Sequence, residues 1–159
     1  MYDIDIVGVL KAAGKTVATA ESCTGGLVAK TITDVPGSSE VFKYGIVSYS
    51  NDAKMQLLNV RKETLDTYTE VSPETAIEMA RGVRDLSGAF VGVSTTGYAG
   101  GYNNEEGDGN GLVYVGVCSA DGFEFVQKIY MPGSSRDQIR QTAMLTALDM
   151  VVKAIYCVG

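Results

Sequence analysis

The segment Ala20-Glu21-Ser22-Cys23-Thr24-Gly25-Gly26 sets a hydroxyl and a thiol between an apolar run (Thr16, Val17, Ala18, Thr19) and a glycine pair. A strand running into a helix has this composition, and the first backbone N–H groups of a helix have no partner within it. Together with the helix dipole they favour a phosphate or a developing oxyanion. Ser22 is therefore a candidate nucleophile beside an anion cradle built by Cys23, Thr24, Gly25 and Gly26. The chain contains no histidine, which excludes the serine-histidine-carboxylate arrangement. The proton of Ser22 must pass to lysine, tyrosine or water. Lys54 is the first choice, because Ser48-Tyr49-Ser50-Asn51-Asp52-Ala53-Lys54 reads as a strand end followed by a helix start, so Tyr49 and Lys54 can face one crevice. A lysine base must be buried or set near positive charge to be neutral at pH 7. Cys23 is a second candidate nucleophile, since a helix N-terminus lowers a thiol pKa.

Other residues offer binding groups. Arg136 and Arg140 are four apart and share a helix face, an arrangement able to grip an anionic substrate. Ser134 and Ser135 add hydroxyls at the same helix start, which suits a phosphate subsite. Thr95-Thr96-Gly97-Tyr98-Ala99-Gly100-Gly101 is a glycine-rich turn that can bring main-chain N–H groups close to a ligand. Glu105, Glu106 and Asp108 lack the spacing of a calcium loop and read as a solvated acidic stretch; no metal or cofactor is expected. Each side chain also has an ordinary reading: Lys54 as an exposed helix lysine, Tyr49 and Cys23 as packing residues, the arginines as solvated charge. Only convergence at the strand ends separates the two.

The elements that must position these groups follow from periodicity. Ile6, Val7, Leu10 and Ala13 fall on one helical face within 3–13, ended by Gly14. A strand over 16–21, a helix over 23–33, a turn over 34–39 and a strand over 41–50 come next. A short helix capped by Asn51 then leads through a connecting segment to Ser72-Pro73, the start of a helix reaching Ser87. Residues 89–95 form a buried strand and 97–111 a loop with no periodicity. Strands at 112–118 and 123–130 make a hairpin around Asp121-Gly122, and a broad apolar stripe from Ile139 to Ile155 marks a last helix opening at Ser134 or Ser135. Alternating strands and helices with a terminal hairpin predict an α/β protein, a mixed five- to six-stranded sheet between two helical layers. Ligands of such sheets bind where strand ends meet helix starts.

Composition narrows the partners. The 159 residues, 45% of them apolar, suit one domain over 1–159 with a substantial core. A net charge of -6 argues against nucleic acid and anionic membranes and for a small-molecule partner. Three well-separated cysteines (Cys23, Cys118, Cys157) form neither a disulfide framework nor a zinc motif, which points to a reducing compartment. No apolar run approaches bilayer length, and Asp3 and Asp5 replace a basic leader, so a cytoplasmic location is expected. The apolar breadth of the last helix leaves self-association open.

The ordered set Ala-Glu-Ser22-Cys-Thr-Gly-Gly, Asp34-Val-Pro-Gly-Ser-Ser, Tyr49-Ser-Asn-Asp-Ala-Lys54, Val71-Ser, Thr96-Gly, and Arg136 with Arg140 resembles the CinA C-terminal domain family. The resemblance spans essentially the whole chain and takes in the nicotinamide mononucleotide deamidases (PncC). It implies a three-layer α/β/α sandwich and metal-free hydrolysis of the carboxamide of nicotinamide mononucleotide to nicotinate mononucleotide and ammonia. By the same resemblance Ser22 is the nucleophile and Lys54 the proton acceptor. Tyr49 and Thr96, beside Gly97, supply pocket groups, and Arg136 or Arg140 contacts the substrate phosphate. The chain resembles the stand-alone form of the family. One stretch departs: where the family reads Thr-Gly-x-Ala-Gly-Pro-Gly-Gly followed by Lys-Pro-x-Gly, this chain reads Thr96-Gly-Tyr-Ala-Gly-Gly101 and continues to Gly111 without that proline or lysine. A catalytically weak or inactive nucleotide-binding or regulatory module is the alternative that this departure keeps open.

Overall fold

The first apolar stripe folds as α1 (Ile6–Ala13), with Asp5 accepting from the Gly8 N–H and Gly14 closing the helix at φ 64°. A left-handed terminal residue is what glycine supplies without steric cost. The computed structural model describes residues 4–100 and 111–156. After α1 come β1 (Val17–Glu21), α2 (Leu27–Thr33), a 3₁₀ turn (Ser38–Glu40), β2 (Phe42–Val47), α3 (Asn51–Leu58) and α4 (Lys62–Tyr68). The chain continues through α5 (Pro73–Ser87), β3 (Val91–Gly97), β4 (Leu112–Ser119), β5 (Glu124–Tyr130) and α6 (Arg136–Tyr156). The expected mixed α/β sheet is present with five strands in the order β2-β1-β3-β4-β5.

β1 runs parallel to both β2 and β3, while β4 is antiparallel to β3 and to β5. Side chains alternate across the sheet, so Val17, Val91, Val93, Val113, Val115 and Val117 face one apolar cluster with α1, α2 and α6. Ala18 and Ala20 face the other, with Leu58, Leu65, Met79 and Val83 of α3, α4 and α5. This makes the three-layer sandwich. The layer holding α5 lies very close to the sheet: a Cβ on Gly92 would come within 2.2 Å of the Ala80 carbonyl oxygen, so β3 needs a residue without one there.

Three local expectations are corrected. The helix expected over 23–33 begins only at Leu27, because Ser22–Gly26 fold as a turn. The cap of α3 is Ser50, whose hydroxyl accepts from the Ala53 N–H, rather than Asn51. The connecting segment before Ser72 contains α4, whose buried residues are only Thr64 and Leu65, too few to give a periodic signal. Ser72 and Pro73 do start α5, with Ser72 accepting from the Thr75 N–H. The apolar stripe of α6 is taken up by the sheet, α1 and α2, with Ile139, Ala143, Ala147, Leu148 and Val151 buried. Among the described residues no helix is long and apolar enough to cross a membrane. Most of the glycine-rich loop, with Glu105, Glu106 and Asp108, and also Cys157, lies outside the described residues.

Candidate active site

β1 is the point at which the strand order reverses: α2 leads from it to β2 on one side, and β3 lies on the other. Such a switch point opens a crevice beyond the carboxyl ends of the strands. Glu21, the last residue of β1, pairs with Val47 of β2 and Thr95 of β3, so the next residues of all three strands converge. Ser22 follows β1, Ser48 and Tyr49 follow β2, and Thr96 and Gly97 end β3. Ser22, Cys23, Tyr49, Lys54, Thr96, Gly97 and Arg136 line one crevice of about 290 Å³, together with Glu70, Tyr98 and Gly100.

At its floor the Lys54 ammonium nitrogen lies 3.1 Å from Ser22 Oγ and 2.9 Å from the Ser48 carbonyl oxygen. Lys54 is 1% exposed, so it is not the solvated helix lysine that its position in a polar sequence would ordinarily make it. Burial pushes its pKa below the ordinary value of 10.5, opposed by the charges of Glu70 and Cys23. Lys54 Nζ donates to both oxygens; on losing a proton it would keep the bond to Ser48 and present its lone pair to Ser22 Oγ, a geometry within reach for proton transfer. Cys23 is the opposite case. Burial pushes its thiol up to about 11, despite its own backbone N–H and the charges of Arg140 and Lys54. It is protonated at neutral pH, which removes the reading of Cys23 as a thiolate nucleophile.

The turn behind Ser22 is not an empty anion cradle. The Glu21 carboxylate, 1% exposed, accepts from Thr24 Oγ1 at 2.6 Å and from the N–H groups of Gly26, Val28 and Ala29 at 3.2, 2.9 and 2.9 Å. The start of α2 is therefore satisfied by the protein's own anion. Gly25 N–H is also used, donating to the Ser22 carbonyl. Among the described residues the Cys23 N–H, which faces the crevice side of the turn, meets only its own thiol. Thr24 further exchanges a 2.7 Å hydrogen bond with Thr95, which ties the turn to β3.

The two arginines separate. Arg136, the first residue of α6, lines the crevice and donates to the Gly100 carbonyl at 3.0 Å and the Tyr49 hydroxyl at 3.2 Å. Arg140, one turn on, donates to the carbonyls of Cys23 and Thr24 at 3.2 and 3.0 Å. Arg140, Thr24, Gly25 and Gly26 thus build the wall behind Ser22 and do not line the crevice. Tyr49 sits at the rim, 59% exposed, with its hydroxyl bonded to Arg136 and not to Ser22 or Lys54. Ser135 and Gln138 cap α6 reciprocally, so the Ser135 hydroxyl is occupied. Sequence reasoning missed Glu70, in the turn between α4 and α5. One acid among 19 with no motif around it carries no signal of its own.

Comparison with known proteins places these residues in a family. The CinA C-terminal domain matches residues 3–155. A competence-damage inducible protein of Caldanaerobacter subterraneus is 51% identical over 92% of this chain and 35% of its own length. A CinA-like protein of Kosmotoga olearia is 46% identical over 94% and 36%. The chain therefore spans about a third of the length of the curated relatives it matches. The crystal structure of the competence/damage inducible protein CihA from Agrobacterium tumefaciens aligns with a TM-score of 0.88 at 35% identity, covering 97% of this chain and 98% of that one.

Proposed function

The chain belongs to the CinA C-terminal domain family, and from that premise we propose that it is an amidohydrolase that deamidates nicotinamide mononucleotide in the cytoplasm through a Ser22–Lys54 pair. The observation that carries the reading is the buried 3.1 Å contact between Lys54 Nζ and Ser22 Oγ in a chain without histidine.

In the first step the Ser22 Oγ–H proton passes to neutral Lys54 while Oγ bonds to the carboxamide carbon. The resulting oxyanion takes a hydrogen bond from the N–H of Cys23, the residue of this turn that lines the crevice beside Ser22; removing one such donor typically costs on the order of 10² to 10³ in rate. Lys54 returns the proton to the nitrogen, the C–N bond breaks and ammonia departs. Water then attacks the acyl-enzyme with its proton going to Lys54, the C–Oγ bond breaks, and Ser22 recovers its hydrogen. Arg136 and the start of α6 offer positive charge to the phosphate, with the Tyr49 hydroxyl beside Arg136, while Thr96 keeps the crevice wall in place through its bond to the Glu70 carbonyl.

The test is ammonia release from nicotinamide mononucleotide by the wild type, Ser22→Ala and Lys54→Ala proteins. Full activity in either variant removes that residue's role. The missing proline and lysine of the 97–111 stretch support a second reading, a module that binds the nucleotide without turning it over. Thermal stabilisation by the mononucleotide with no ammonia produced favours that module.

A further inference from the structure

Glu70 is held into the crevice by a backbone conformation that is unfavourable on its own. Thr69 before it has φ 71°, in the left-handed region that a β-branched residue rarely enters. Hydrogen bonds on both sides fix it there. The Thr69 carbonyl accepts from Ser72 Oγ at 3.1 Å and Thr75 Oγ1 at 2.7 Å, and Val71 N–H donates to Thr69 Oγ1 at 3.3 Å. The Glu70 carbonyl accepts from Thr96 Oγ1 at 2.6 Å. Thr96, a crevice residue, therefore spends its hydroxyl on orienting Glu70. Glu70 lines the crevice with Ser22, Lys54, Tyr98 and Arg136, and the charge of its carboxylate is felt at both Lys54 and Tyr98. Among the described residues no lysine or arginine lies within ion-pair distance of it.

Resting on the amidohydrolase reading, we propose that Glu70 is a specificity-determining residue whose carboxylate selects a positively charged ring beside the scissile carboxamide. An oxidised nicotinamide mononucleotide is positive at its ring nitrogen and negative at its phosphate. Glu70 and Arg136 both line the crevice and supply the two opposite charges that such a ligand needs. A ring cation placed there also offsets the carboxylate's pull on Lys54 and favours the neutral amine when substrate is bound. Hydrolysis turns the neutral carboxamide into a carboxylate, which the negative charge of Glu70 repels, so the same residue speeds release of product.

The experiment separates this from the reaction itself by measuring binding without turnover. Dissociation constants of oxidised and reduced nicotinamide mononucleotide, whose rings differ by one charge, are measured by calorimetry for Ser22→Ala, Ser22→Ala/Glu70→Gln and Ser22→Ala/Glu70→Asp proteins. The expected result is that Ser22→Ala binds the oxidised form roughly fivefold more tightly, as a partly exposed ion pair supplies. The preference disappears with Glu70→Gln and returns with Glu70→Asp. An equal preference with and without the carboxylate overturns the proposal, as does binding of neither form. Ammonia release by the wild type is followed alongside. A charge preference without ammonia leaves Glu70 its role and removes the deamidase, whereas ammonia with an unchanged preference does the reverse.

Discussion

A buried lysine is useful as a base only if it is neutral, and the same burial that makes it so sets two pH dependences of known sign. Below its folded-state pKa Lys54 is an ammonium with no lone pair to take a proton, so with Lys54 as the proposed base kcat/KM should fall as pH is lowered. The midpoint lies below the ordinary lysine value because burial outweighs the opposing charges of Glu70 and Cys23. With the Cys23 thiol protonated up to about pH 11, Glu70 is the one of these two that acts at neutral pH. Glu70→Gln therefore moves the midpoint to lower pH, read from a kcat/KM profile of ammonia release. An unmoved midpoint means that the carboxylate does not act on Lys54. The second dependence is in stability. Between the folded pKa and 10.5 the unfolded chain holds a proton that the folded one lacks, so stability rises with pH through that window. Lys54→Met removes the proton-binding site from both states. The wild-type Tm is expected to gain on the Lys54→Met Tm as pH is raised from 7 to about 10, measured by thermal melts in matched buffers; a constant difference shows that Lys54 stays charged on folding. Removal of the base should also lower ammonia release on the order of 10² to 10⁴, the usual worth of general-base catalysis.

Elements are where the sequence is most legible and where its failures are most instructive. Apolar periodicity locates α1, β1, α5, β3 and the β4–β5 hairpin, because each buries one face or both against a sheet with few competing local signals. Lys54 is also legible, since a strand end followed by a helix start places its side chain at the sheet's carboxyl edge whatever the neighbouring layers do. The start of α2 is not. Ser22, Cys23 and Thr24 look like the first turn of a helix, yet Glu21 folds back onto Gly26, Val28 and Ala29 and the turn stays open ahead of it. Spacing does not say which acid reaches a helix start, nor that Arg140 turns to the carbonyls of that turn while Arg136 turns to the crevice. The turn is therefore clamped between a carboxylate and a guanidinium of the chain itself. Glu21→Gln keeps one acceptor and replaces the other by an amide that faces N–H donors. It should cost about 2 kcal/mol, a typical value for hydrogen bonds to a buried charged group, and lower Tm by roughly 4–8 °C. Ammonia release should fall further than the loss of folded protein explains, because the Cys23 N–H is aimed by the same clamp. An unchanged Tm would show that the backbone of Ser22–Gly26 holds without Glu21.

Over the whole molecule, the crevice is the place where the two helical layers meet across the sheet. Lys54 reaches it from α3 in one layer and Arg136 from α6 in the other, while Ser22, Tyr49 and Thr96 stand on the strand ends between them. The order of strands that creates this meeting point is carried by pairings such as Glu21 with both Val47 and Thr95, which no local pattern encodes. A ligand bound there bridges both layers, so its binding energy should appear as stability of the entire fold. Nicotinamide mononucleotide at about 100 times its Kd is worth about 2.7 kcal/mol, and should raise the Tm of the Ser22→Ala protein by roughly 5–10 °C. The two ends of the ligand can be told apart. If Arg136 and the start of α6 hold the phosphate, Ser22→Ala/Arg136→Ala should lose most of the shift given by the mononucleotide and little of the smaller shift given by nicotinamide riboside, which has no phosphate. Equal shifts from the two compounds in the Ser22→Ala protein would place the phosphate outside the grip of α6. Equal losses on removing Arg136 would mean that this residue shapes the rim through Tyr49 and Gly100 and does not read charge.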